Sequence, residues 1–307
     1  MPVNDSERHQ FFEGITRTLR SRGVICAITS GLACVHYGVA ETTKDCDLLC
    51  HPGSFDVLMN LLAETNIAGQ PCHYRGNISP PLDARWHHGG WTSHFQWGDG
   101  ATATTLDVFG HALRESSPWQ DDIAGLYAGR NVVAEMKRTD REKDWPFITS
   151  LGVALLHARD PRGWLHVFDA DTMQEMLEAY SIPQEMMAVR PVLQLAVRSD
   201  PLLHHALLAE RHFWQELDRL RIRLCRTALR PFVLAMGRER QRIAGGLPEE
   251  HVARVACAER HLEKNPVAAH GVDQLIEDAR ESTRAFVNPE LLRWLPDVRP
   301  HFRFLES

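Results

Sequence analysis

The chain has no apolar run approaching the roughly 20 residues that a membrane-spanning helix needs. Its first residues lack the basic-then-apolar layout of a secretory signal. These absences argue against a membrane partner and point to the cytoplasm. Cysteine is scarce: seven residues, an odd number without short paired spacings, give neither a disulfide framework nor a structural zinc site, and small buried hydrophobes are the expected role. Cys72-His73 and His87-His88 share one loop-rich stretch, where solvated histidines are expected rather than a metal site. Positive charge is not in excess either, since 34 Lys and Arg against 40 Asp and Glu leave a net charge of −6. Nothing therefore draws the whole molecule to nucleic acid, and such a contact would have to use a local basic patch. No internal repeat or low-complexity tract is present. What remains is a globular composition, 44% hydrophobic and 24% charged over 307 residues, enough chain for two domains.

Periodicity and turn residues divide the chain. Phe11, Phe12, Ile15 and Leu19 form one face of a helix from Ser6 to Arg22 that Gly23 ends. Val24 to Thr29 reads as a strand, Ser30-Gly31 as a tight turn and Leu32 to Tyr37 as a helix. After His51-Pro52-Gly53, Ser54 is expected to cap a helix through about Leu62. Asn66 to Gly90, punctuated by Pro and Gly, reads as a long connection of the kind that binds substrate or moves. Trp86, Trp91 and Trp97 border it, with hairpin packing favoured over stacking on a nucleobase. Trp91 to Trp97 and Thr104 to Phe109 read as a hairpin with the three-residue loop Gly98-Asp99-Gly100.

From Val132 onward helical periods dominate, and Asp160-Pro161-Arg162-Gly163 is the best boundary, giving domains 1–159 and 160–307. Asp200-Pro201 should open a long helix through Arg230, kinked by Pro231, with shorter helices from Glu249 to Lys264 and Val272 to Phe286. The fold class is α+β: a small mixed sheet with flanking helices, then an all-helical C-terminal domain.

The chemistry concentrates between Thr29-Ser30-Gly31-Leu32-Ala33 and Thr43-Lys44-Asp45-Cys46-Asp47-Leu48-Leu49. A strand, a small-residue turn and a helix start leave unpaired N–H groups at the positive end of a helix dipole, suited to an anion, and Gly31 lets a phosphate approach. On a strand, Asp45 and Asp47 point the same way, roughly 6–7 Å apart, while Cys46, Leu48 and Cys50 face the core. Two such carboxylates can share hard divalent cations, which take oxygen ligands and keep positions open for triphosphate and water. Asp107, between Leu106 and Val108-Phe109 on another strand, is the candidate third carboxylate, because a buried one without a cation or partner is costly. The structural alternative has Asp45 opening a strand, Asp47 pairing with a surface Lys or Arg, and Asp107 capping a loop.

Ser30-Gly31, Asp45-x-Asp47 and Asp107, in that order, resemble the polymerase-beta-like nucleotidyltransferase superfamily. Within it the chain is most similar to the bacterial group related to abortive-infection toxins. That group has a Gly-Gly-x-Ala turn, an Arg-x-Thr-x-Asp-x-Asp stretch and a downstream basic helix ending in Lys-Asp. Here stand Ser30-Gly31-Leu32-Ala33, then Glu41-Thr42-Thr43-Lys44-Asp45-Cys46-Asp47, and later Lys137 with Arg141-Glu142-Lys143-Asp144. Ser replaces the first Gly, and Glu41 stands where the group carries Arg. The resemblance covers about residues 20 to 150. It implies a nucleotidyltransferase fold for the first domain. It also implies Mg²⁺-dependent transfer of a nucleoside monophosphate from an NTP such as ATP to a hydroxyl, with release of pyrophosphate. Asp45, Asp47 and Asp107 would hold two Mg²⁺ ions and carry the catalysis, with Ser30, Gly31, Lys44, Lys137, Arg141 and Lys143 on the nucleotide. Helical spacing would put Lys137 and Arg141 on one face; the alternative is solvated charges paired with Asp140, Glu142 and Asp144.

Three functions follow. The first transfers the nucleotidyl group to a tRNA end or a protein, as in toxin relatives, and brings a candidate antitoxin partner. The second acts on a small molecule such as an aminoglycoside, for which Glu115, Asp121 and Asp122 are acidic candidates near the acceptor. The third is a catalytically degenerate module for nucleotide binding or protein interaction, which Glu41 supports. Arg219, Arg223, Arg226 and Arg230 recur along one helical face and are the candidate RNA contact, against a solvated face paired with Glu216 and Asp218.

Overall fold

The computed structural model describes residues 5–43, 45–100, 103–112, 119, 123, 125–239 and 243–305. Helix α1 (Asp5–Ser21) turns Phe12, Ile15 and Leu19 inward, and Gly23, at φ +80°, takes the chain out of it. Strand β1 (Cys26–Thr29), helix α2 (Ser30–His36), strand β2 (Asp45–Cys50) and helix α3 (Phe55–Glu64) follow. Next come β3 (Asn66–Ile67), β4 (Gln70–Tyr74), the short α4 (Ala84–His87), β5 (Thr92–Trp97) and β6 (Thr104–Phe109). The strands form one mixed sheet in the order β1-β2-β6-β5-β4-β3, in which β2 and β6 run parallel and every other pair antiparallel.

Period-two alternation divides the residues of the sheet between two cores. Cys26, Ile28, Cys46, Leu48, Cys50, Leu106 and Val108 pack with Phe12 and Leu19 of α1 and Leu58 and Leu62 of α3. Leu49, on the other face of β2, joins a second core with α2, α5 (Arg130–Lys137) and α6 (Trp145–His157). Asp45 and Asp47 share the face of Leu49, so the pleat that buries the cysteines also lifts both carboxylates toward α5.

The rest of the described chain is helical: α7 (Ala170–Ala179), α8 (Gln184–Val189), α9 (Leu193–Val197), the 37-residue α10 (Leu203–Glu239), α11 (Leu247–His261), α12 (Pro266–His270) and α13 (Val272–Arg284). Phe213, Trp214 and Leu217 of α10 and Leu275, Ile276 and Ala279 of α13 complete the core begun by Val132, Trp145 and Ile148. No helix among the described residues is long and apolar enough to cross a membrane.

Several local expectations are corrected. The stretch from Asn66 to Gly90 is no open connection but holds β3, β4 and α4. Pro71 is tolerated in β4 because its neighbour there is only the two-residue edge strand β3. The β5–β6 register pairs Trp97 with Thr104, so more than three residues separate the paired ends of the hairpin. Ser54 makes no side-chain cap; Pro52–Ser54 is a 3₁₀ turn whose Gly53 N–H donates to His51 Nδ1 at 3.2 Å. The long helix starts at Leu203, after Asp200 accepts the Leu202 N–H at 2.9 Å, and continues past Pro231 to Glu239. His87 is buried against Ser93 Oγ at 2.9 Å rather than solvated. Trp86, Trp91 and Trp97 are buried in packing, and all seven cysteines are free.

Candidate functional site

The site begins where β1 ends. Ser30 sits at φ +52°, in the left-handed region that costs a non-glycine residue of order 1 kcal/mol or more, and its hydroxyl donates to the Asp47 carboxylate. A Cβ on Gly31 would meet Thr43 Oγ1 at 2.5 Å, so only glycine lets the segment before β2 fold over this turn. The turn is therefore held from both sides, by the aspartate strand and by the segment leading into it.

The three aspartates lie on two adjacent strands. Parallel pairing sets Asp47 directly beside Asp107, with Asp45 beside Thr105, whose hydroxyl donates to Asp45 Oδ1 at 2.5 Å. Neighbouring strands lie about 4.8 Å apart, so Asp47 and Asp107 face one another across that spacing. Asp45 is exposed and Asp47 half-buried. Burial first, and the Asp107 charge second, push the Asp47 carboxyl up to about 6, against the opposing effects of the Ser30 hydrogen bond and Lys137.

Asp107 already has cationic company. Arg75, just past β4, places Nη2 3.1 Å from Asp107 Oδ1, and His94 Nδ1 lies 2.8 Å from the same oxygen. Arg75 Nη2 also lies 2.9 Å from His94 Nδ1. Antiparallel pairing of β5 with β6 sets His94 opposite Asp107. Among the described residues no group of three or more His, Cys, Asp or Glu side chains is arranged to hold a metal ion. Sequence reasoning passed over both Arg75 and His94. A three-residue hairpin loop would have shifted the register and moved His94 away from Asp107, and Arg75 lay in a stretch read as loop.

The basic residues are arranged through a carboxylate rather than along a helix. Lys137 ends α5, and Arg141 precedes a 3₁₀ turn at Glu142–Asp144, so the expected shared helical face does not exist. They meet instead at Asp144, which is buried and receives Lys137 Nζ at 3.2 Å on Oδ1 and Arg141 Nη2 at 2.7 Å on Oδ2. Lys137 is itself buried rather than solvated, whereas Arg141 and Lys143 are exposed.

One cleft of about 730 Å³ takes in Ser30, Gly31, Glu41, Asp45, Asp47, Lys137, Arg141, Lys143 and Asp144. Asp107, beside Asp47 on the neighbouring strand, is outside its lining. Lys44, Glu115, Asp121 and Asp122 lie outside the described residues. On α10, Arg219, Arg223, Arg226 and Arg230 are all exposed on one side. Arg219 pairs with Glu216, but Asp218 faces inward, pairing with Arg221 at 2.9 Å and accepting the Asp140 N–H at 3.1 Å. Asp218 therefore does not neutralise the arginine row. No protein-family model matches this chain, and no curated protein matches it in sequence.

Proposed function

We propose that the chain is a divalent-metal-dependent nucleotidyltransferase with a polymerase-beta-like N-terminal part, moving a nucleoside monophosphate from an NTP to a hydroxyl acceptor. The observation that carries this reading is the pairing of Asp47 with Asp107 on adjacent parallel strands, with Asp45 two residues away and the Ser30-Gly31 turn hydrogen-bonded to Asp47. Oxygen donors of this kind suit Mg²⁺. Asp45 and Asp47 would hold the ion, and Asp107 would join them on exchanging its Arg75 contact. The bound ion would supply charge neutralisation at the phosphates and a more acidic acceptor hydroxyl.

The chain's own groups account for the rest. N–H groups at the α2 start face the triphosphate. Lys137, fixed by Asp144, and Arg141 and Lys143 at the rim stabilise the negative charge that grows on departing pyrophosphate, and being already positioned they cost little reorganisation. Where Asp107, beside Asp47, does not join the ion, it would instead take the attacking hydroxyl's proton.

A second reading has one observation in its favour: the Arg75–Asp107 ion pair satisfies the third carboxylate without a metal, as a catalytically silent nucleotide-binding module would require. Incubation with each labelled NTP and Mg²⁺ separates the two. Pyrophosphate release that disappears in Asp45→Ala and Asp47→Ala supports the enzyme. Nucleotide binding without pyrophosphate release, in the presence of cell extract as a source of acceptor, supports the module.

A further inference from the structure

The same face of α10 carries an unassigned cavity and the arginine row. At about 100° per residue, Leu208, His212, Gln215, Arg219, Arg223, Arg226 and Arg230 fall within a sector about 80° wide. At its N-terminal end this face forms one wall of a cavity of about 550 Å³, whose other wall is Phe286 to Asn288 and Leu291 after α13. Phe286 is 75% exposed, an unusual position for a phenyl ring, and His212 packs on it with ring centres 5.0 Å apart. Glu142 closes the near end, held by Arg211 at 3.2 Å and Gln215 at 2.8 Å. Its sequence neighbours Arg141 and Lys143 line the carboxylate cleft, so a single turn of chain separates cavity from cleft. From the cavity the arginine row runs about 16 Å from Arg219 to Arg230. Among the described residues Arg223, Arg226 and Arg230 form no ion pair.

We propose that this face binds a single-stranded polynucleotide, its phosphates along Arg219, Arg223, Arg226 and Arg230 and its terminal base in the cavity against Phe286. Planar bases with exposed π-faces and a string of phosphates match an exposed aromatic ring followed by spaced guanidinium groups. In a molecule with a net charge of −6, a row of exposed arginines of which only Arg219 has a carboxylate partner, Glu216, is a local attraction for a polyanion. An amphipathic peptide fits less well, because the stripe beyond the cavity offers arginines where such a peptide needs an apolar groove. That the strand is also the hydroxyl acceptor rests on the proposed nucleotidyl transfer; the binding itself does not.

The test uses the full chain carrying Asp47→Asn, without NTP or divalent metal, so that its outcome is independent of catalysis. Anisotropy of a short labelled oligouridylate and a matched oligodeoxythymidylate is followed over a range of salt concentrations. Arg223→Glu with Arg226→Glu should weaken binding at least about tenfold at low salt and reduce the log–log salt slope by about 1.4, at about 0.7 per single-strand phosphate contact. Phe286→Ala should weaken binding about fivefold or more while leaving that slope unchanged, as expected for lost stacking. The control Arg17→Glu with Arg22→Glu makes the same charge change on exposed side chains in and just after α1 and should leave binding intact. Tighter binding of RNA, or equal binding of both strands, supports the proposal and names the sugar preference. Absence of binding to either strand, or equal loss in the control, overturns it and leaves the arginine row to an acidic protein surface.

Discussion

Asp47 is the residue at which the proposed function and stability pull apart. Its carboxyl titrates near 6 in the fold against an ordinary 3.8, because burial and the Asp107 charge disfavour its ionised form. Below about pH 4 the group is protonated in both folded and unfolded chains and costs nothing. As pH rises toward 6 the unfolded chain loses its proton first, so stability falls, and above 6 the penalty is complete. For a half-buried group it amounts to about 1–2 kcal/mol. Asp47→Asn should therefore raise the melting temperature of the metal-free protein at pH 7.5, with the gain vanishing by about pH 4, and should abolish the proposed pyrophosphate release. A gain independent of pH would show that the carboxylate is not strained. Arg75 sets the complementary condition at Asp107, since any cation joining that carboxylate competes with a guanidinium 3.1 Å away. Arg75→Gln should tighten Mn²⁺ binding, read by electron paramagnetic resonance of free Mn²⁺, by about threefold to tenfold, in line with the worth of a partly exposed ion pair. Unchanged Mn²⁺ affinity would mean that Asp107 takes no part in holding the ion.

At the scale of elements, α5 and α6 are tied together by one carboxylate. Asp144 lies at the N-terminus of α6 and receives the buried ammonium of Lys137 from the end of α5. Asp144→Asn keeps the shape but leaves Lys137 without its charge partner, and should destabilise the fold by about 3 kcal/mol, visible as a lower urea midpoint at unchanged slope. Loss smaller than about 1 kcal/mol would show that Lys137 escapes to solvent. Sequence made the carboxylate strand legible because Cys46, Leu48 and Cys50 alternate with Asp45 and Asp47, and β-pleat leaves one way to bury the first set. It did not reveal Asp144 as a bridge, since Lys137 and Arg141 at a spacing of four also satisfy a helix, and the helix ends between them. Nor did it reveal β4, where Pro71 and polar neighbours mask a strand recognised by its pairing with β3 and β5. The hairpin register failed for a related reason. Gly98 and Gly100, at φ +72° and +70°, mark the turn but not where pairing resumes, and that register decides which side chain faces Asp107.

Across the whole molecule, the site depends on residues that enter the chain long after its aspartates. The cations sit on α5 and the turn before α6, and those helices are covered on their outer side by α10 and α13 through Phe213, Trp214, Leu217, Leu275 and Ile276. The chain bend at Pro161–Leu165 packs tightly on α6, where a Cβ on Gly163 would meet the Gly152 carbonyl oxygen at 2.5 Å. Separating residues 1–159 from 160–307 would bare part of Val132, Val133, Trp145, Ile148 and Leu151. At about 2 kcal/mol for each large apolar side chain, exposing three or four of them costs roughly 6–8 kcal/mol. That is comparable with the whole stability of an ordinary domain. The 1–159 fragment should accordingly bind a hydrophobic dye, melt without a cooperative transition and show weak protection of α5 and α6 amides from hydrogen exchange. Co-expression with 160–307 should restore a single sharp transition and full protection. A cooperative melt of the isolated fragment, with α5 and α6 protected as in the intact chain, would show instead that the aspartate sheet carries its cations without help from the helices that follow.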